Sequence, residues 1–204
     1  NYRIIVTEHR LAGIGWFIWA RFARLYPLFF LILAIDLLFG RDLYKHLAGE
    51  TPNNIHDVVR ALPYYMTFTQ SWVYLPLERN SLVYAVGVAT PLTWSISTEW
   101  FFYLCYPFFA GLLLKLRRPS VTVLAMLACI GVWFALAVGI AENARAINQW
   151  AIIHYGEMAG IVDGHVGTLQ DSFIRWLLYF SPYARVGEFI MGCLTCQLYL
   201  LMQA

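Results

Sequence analysis

One carboxylate, Glu99, interrupts the apolar and aromatic stretch that runs from Thr93 to Pro107. An ionised carboxylate entering hydrocarbon is costly unless it meets a partner, a proton or a water-filled cavity. If the stretch is helical, Ser95, Glu99, Phe102, Tyr103 and Tyr106 fall on one face through steps of three and four. That face carries a carboxylate, a hydroxyl and two phenols, the equipment for gripping a polyol or managing a proton. An interfacial aromatic belt, with Glu99 snorkelling back to headgroups, accounts for the same pattern.

Two further sets of charges stand in apolar surroundings. Arg21 and Arg24 are three apart, hence neighbours on a helix face. Two like charges so placed repel, and an anion between them relieves that. Guanidinium forks suit phosphate oxygens, although anchoring to anionic lipid explains the same pair. Arg185 and Glu188 are likewise three apart in an otherwise apolar run, which reads as an ion pair, within the helix or between helices, that neutralises both. Asp36 lies near the outer end of the first apolar run. Acids near the outer ends of three separate runs imply a shared polar cavity.

These residues must be positioned by membrane helices. The chain of 204 residues is 60% hydrophobic and 13% charged, against roughly 25% charged in soluble domains. Its net charge of +2, with no basic arm, excludes a nucleic-acid partner. Apolar length gives an all-α, polytopic bundle of about four spans, at 16–40, 98–114, 120–140 and 176–202. Pro27 is expected near the start of the first helix and Ser120 as the N-cap of the third. The connections 41–97 and 141–175 are hydrophilic or mixed, with Leu62–Leu77 read as a surface or re-entrant segment. Arg3, Arg10, Arg21, Arg24, Lys115, Arg117 and Arg118 collect on one side against Glu8 alone, so that side and both termini are expected to be cytoplasmic. His46, His56, His154 and His165 then lie in the outer connections and His9 inside, as loop histidines. Cys193 and Cys196 have metal-like spacing but no His or carboxylate companions in sequence, so close helix packing is expected there and no metal. Both ends look cut, and the chain is expected to be a piece of a longer protein.

The central run resembles the signature of the membrane-bound acyltransferase 3 family, Trp94-Ser-Ile-Ser-Thr-Glu99-Trp-Phe-Phe-Tyr103 with Pro107. Arg21-Phe-Ala-Arg24 followed by Tyr26-Pro27 is similar to the family's Arg-x-x-Arg block. Arg185-Val-Gly-Glu188-Phe189-Ile-Met-Gly192 is similar to its Arg-x-x-Glu-Phe-x-x-Gly block, so the resemblance covers most of the chain. It implies an integral O-acyltransferase of the cell membrane, in the bacterial inner membrane. The reaction would move an acyl group, acetyl being expected, from acyl-CoA to an extracytoplasmic carbohydrate, glycolipid or other hydroxyl acceptor, with no cofactor. Arg21 and Arg24 would hold donor phosphates. Glu99 is the candidate catalytic residue, while Ser95, Tyr103, Arg185 and Glu188 would shape the acceptor or acyl path. The family's catalytic histidine, in a basic-x10-His block of its first membrane helix, has no counterpart here. Lys45 and His56 have that spacing but sit in a hydrophilic connection. The chain alone is therefore expected to be inactive. A transporter, which also carries paired intramembrane charges, is the competing class.

Overall fold

The computed structural model describes residues 10–40, 55–78, 80–86, 93–161 and 171–203. The expectations for Arg3, Glu8, His9, Lys45, His46 and His165 lie outside the described residues, as does that for the side chain of Arg10. The described architecture is all-α: α1 (Arg10–Ile35), α2 (Ile55–Met66), α3 (Trp94–Leu113), α4 (Pro119–Glu142), α5 (Ala144–Tyr155) and α6 (Pro182–Gln203). Pro76 and Ser81 form an isolated antiparallel bridge, the sole extended pairing among the described residues.

Among the described residues three segments are long and apolar enough to cross a membrane, Gly13–Phe39, Pro119–Glu142 and Phe173–Gln203, and the chain is a membrane protein. The second expected span forms as α3, but it is not among those three. Its 20 residues match the roughly 30 Å of a bilayer core. Its first turns hold Ser95, Ser97, Thr98 and Glu99, which are too polar for an independent span. Ring contacts order the bundle. Phe17 stacks on Tyr106 and Phe22 meets Trp100, so α1 and α3 run antiparallel. Phe101 meets Tyr183 and Gln197 reaches the Leu116 carbonyl, so α3 and α6 run the same way. Trp133 donates to the Ala184 carbonyl and Cys129 approaches that of Gly187, setting α4 antiparallel to α6. The direction of the chain therefore alternates through α1, α3, α4 and α6.

Local chemistry moves several boundaries. α1 begins at Arg10, so Pro27 lies well inside it rather than near its start. Pro119, whose fixed φ suits the first helical position, opens α4, so Ser120 is not its N-cap. Ser181 caps α6, accepting from the Ala184 N–H, with Pro182 again at the first position. Two spans have a π-helical end, Asp36–Gly40 after α1 and Trp176–Phe180 before α6.

Leu62–Leu77, expected as a surface or re-entrant segment, packs into the core rather than lying on the surface. Tyr65, Phe68 and Leu82 are fully buried against Phe29 and Leu33 of α1. Tyr65 donates to the carbonyls of Leu82 and Val83. α2 ends in a Schellman turn, with the Phe68 N–H on Tyr65 and the Thr69 N–H on Tyr64. Phe68 holds the left-handed position usually given to glycine, at φ 57°. Its ring meets Phe22, Tyr26, Phe29 and Trp100, contacts that outweigh a penalty of about 1–2 kcal/mol. Irregular backbone can be buried where protein groups satisfy it, as the Tyr65 hydroxyl does for the Leu82 and Val83 carbonyls.

Candidate functional site

Where α1 and α3 cross, Arg21, Tyr103 and Glu99 converge. The Arg21 guanidinium lies 5.3 Å from the Phe17 ring centre and 5.2 Å from that of Tyr103. Tyr103 donates its hydroxyl to Glu99 Oε1 one turn back along α3. Arg24, one turn beyond Arg21, is exposed. Neither arginine makes an ion pair among the described residues. Both lie inside the apolar segment Gly13–Phe39 rather than at its flank. The expectation that separates Arg21 from Glu99 is corrected, because the guanidinium covers the ring of Tyr103, the partner of Glu99. Antiparallel packing of α1 on α3 brings Arg21 to the carboxylate's level. Beside the cluster, Gly15, Ile18, Trp19, Phe22 and Trp100 line a shallow apolar groove of about 300 Å³.

Arg185 does not pair with Glu99. It bonds Glu188 on its own helix at 3.1 Å and covers the rings of Trp94 and Tyr179, at 5.7 and 5.5 Å. Phe189 of the same motif stacks on Phe102 of α3, 4.8 Å between centres. The three motif blocks are therefore contiguous, with α3 between the other two. Arg175, which the sequence did not single out, covers Tyr179 and Phe180, so two guanidinium groups share the Tyr179 ring. Its signal was composition alone, one basic residue before an aromatic run. The acids have different surroundings. Asp36 is 3% exposed, whereas the Glu188 side chain is 66% exposed.

The two serines of the central block have different surroundings. Ser95 is exposed, one turn before Glu99. Ser97 is fully buried and was missed, because it faces away from the Ser95–Tyr106 stripe. Its hydroxyl donates to the Phe68 carbonyl at 2.7 Å and accepts from the N–H and hydroxyl of Ser71, at 3.2 and 2.8 Å. The indoles of Trp72 and Trp176 then satisfy the carbonyls of Ser97 and Ser71. Next along, Thr98 donates to the Phe180 carbonyl. This hub fixes α3 to the 67–72 turn and to the start of the last span, and so sets where Glu99 stands.

No group of metal-ligating side chains occurs among the described residues, and Cys193 and Cys196 are free thiols. His56 and His154 are exposed on α2 and α5, away from the cluster in sequence and fold. Outside the spans, burial and then the Asp171 charge push the Tyr74 phenol well above the ordinary tyrosine value. Its hydroxyl donates to the Asp171 carbonyl at 2.6 Å. The chain matches no protein-family model, no curated protein and no solved structure.

Proposed function

We propose that the chain belongs to an integral membrane O-acyltransferase that moves an acyl group from acyl-CoA to a hydroxyl acceptor, a carbohydrate or glycolipid, across the membrane. The observation that carries the reading is the convergence of Arg21, Tyr103 and Glu99, flanked by Trp94 against Arg185. Phosphates of the donor would sit on the unpaired guanidinium groups of Arg21 and Arg24, charge-assisted contacts whose planar fork suits phosphate oxygens. The acyl group would enter the groove of Trp19, Phe22 and Trp100. The acceptor oxygen attacks the thioester carbon, a C–O bond forms as the C–S bond breaks, and coenzyme A leaves as thiolate. Glu99 would take the hydroxyl proton, with Tyr103 fixing its orientation. Ser95, Arg185 and Glu188 border the acceptor side. The expected setting is the bacterial inner membrane with both termini cytoplasmic.

A transporter is the second reading, favoured by the break of the last span at Ser181, between the π-helical Trp176–Phe180 and α6, since broken helices mark transport sites. Reconstitution of the complete polypeptide into vesicles separates the two. The acyltransferase reading expects release of free coenzyme A from acyl-CoA that depends on a hydroxyl acceptor. Solute counterflow with no thioester cleavage would overturn it.

A further inference from the structure

At the end of the bundle opposite Trp94, α3 and α6 part to leave an apolar groove of about 370 Å³. That volume lies within the range of roughly 300–1,000 Å³ found for small-molecule sites. Tyr106, Phe189, Gly192, Cys193, Gln197 and Leu200 are among its walls. A Cβ added at Gly192 would meet no heavy atom within 4 Å, so the wall there faces open space.

Its lower end adjoins a cluster of positive charge. Gln197, a wall residue, donates from Nε2 to the carbonyl of Leu116 at 2.9 Å. Leu116 stands between Lys115 and Arg117 in the short turn that leads through Arg118 into α4. All three basic side chains are exposed, and none has an ion-pair partner among the described residues. An apolar slot ending at three unpaired cations, with one hydrogen bond joining wall to turn, has the polarity of an anionic amphiphile. In a bilayer the ligand of that chemistry present at high local concentration is an anionic phospholipid.

We propose that the α3–α6 groove holds one acyl chain of an anionic phospholipid whose headgroup phosphate is held by Lys115, Arg117 and Arg118. The site is separate from the Arg21–Tyr103–Glu99 cluster and does not depend on the function proposed for it. It would fix the angle between α3 and α6, which meet the bilayer surface at this turn. Each basic residue near an anionic surface contributes a factor of about five in binding.

Native mass spectrometry of the 204-residue chain, released from membranes containing equal amounts of phosphatidylglycerol and phosphatidylcholine with identical chains, tests this. One phosphatidylglycerol should be retained per chain, at least about tenfold over phosphatidylcholine. Lys115→Gln, Arg117→Gln and Arg118→Gln together should abolish that preference, and Gly192→Leu, which fills the slot, should abolish retention. Leu200→Trp fills it from a rim position that is 42% exposed, and it replaces Gly192→Leu if that variant does not fold. Equal retention of both lipids, or undiminished phosphatidylglycerol in the filled-groove and charge variants, would overturn the proposal. So would displacement of the lipid by palmitoyl-CoA at equimolar concentration, which would assign the groove to the thioester donor.

Discussion

Ser97→Ala removes one oxygen and leaves three groups short of a partner. The Phe68 carbonyl loses its donor at 2.7 Å, and the Ser71 N–H and hydroxyl lose their acceptor. All three sit in fully or almost fully buried surroundings, with Ser71 and Ser97 at 0% exposure. An unsatisfied buried group costs about 1–3 kcal/mol. The Ser71 hydroxyl has a second neighbour, Thr98 Oγ1 at 3.4 Å, to which it can turn. Two uncompensated groups then remain, for an expected loss of roughly 2–5 kcal/mol. Ser95→Ala, two residues away in the same motif but exposed, should cost under about 1 kcal/mol. The assay is equilibrium unfolding in mixed micelles with increasing dodecyl sulfate. Two probes suit it: far-ultraviolet circular dichroism, and the fluorescence of Trp72 and Trp176, whose indoles bond to the hub. A Ser97→Ala protein within about 0.5 kcal/mol of the wild type would refute the reasoning, as would Ser95 and Ser97 variants of equal stability.

Other expectations follow from single contacts. A Cβ on Gly187 would lie 2.5 Å from the Trp133 ring, so Gly187→Ala should destabilise by about 1–3 kcal/mol in the same assay, and Trp133→Leu should relieve most of that loss. Phe68→Ala should cost about 3–5 kcal/mol, net of any strain released at its left-handed backbone, because the ring lies at the centre of the α1–α2–α3 aromatic cluster. Tyr74 keeps its proton in the folded state above the pH at which the unfolded chain releases it. Its contribution to stability is therefore fully present below the ordinary tyrosine value of about 10 and is lost as pH rises beyond it. Tyr74→Phe, unable to ionise, should flatten the alkaline limb of the stability profile measured by thermal melting.

Apolar run length made three spans legible, because nothing but hydrocarbon accommodates stretches such as Ser120–Ile140. The alternation of basic turns then anticipated the antiparallel order that the ring contacts show. Two features were not legible. Leu62–Leu77 reads as mixed and proline-interrupted, and its burial depends on partners distant in sequence, above all Phe29 and Leu33. Ser97 carries no signal that separates it from Ser95, since only the packing of the 67–72 turn decides which hydroxyl faces inward. The Glu99–Tyr103 contact was within reach of helix periodicity, being one turn apart on a single helix. Arg21 at the same level required the register between α1 and α3. Arg185 pairs with Glu188, as their spacing of three predicts, and not with Glu99. Replacing Glu99 and Arg185 together should therefore give additive rather than compensating losses.

Steady-state acyl transfer by the complete polypeptide in vesicles, with and without Glu99→Gln, bears most directly on the proposed activity. A carboxylate that takes the acceptor's proton predicts a fall in kcat of about 10²–10⁴-fold with an unchanged KM for acyl-CoA. Arg21→Ala, which removes a phosphate contact, should instead raise that KM roughly tenfold and leave kcat nearly intact. A Glu99→Gln protein that acylates its acceptor at the wild-type rate would contradict the account and return Glu99 to an aromatic belt at the membrane surface.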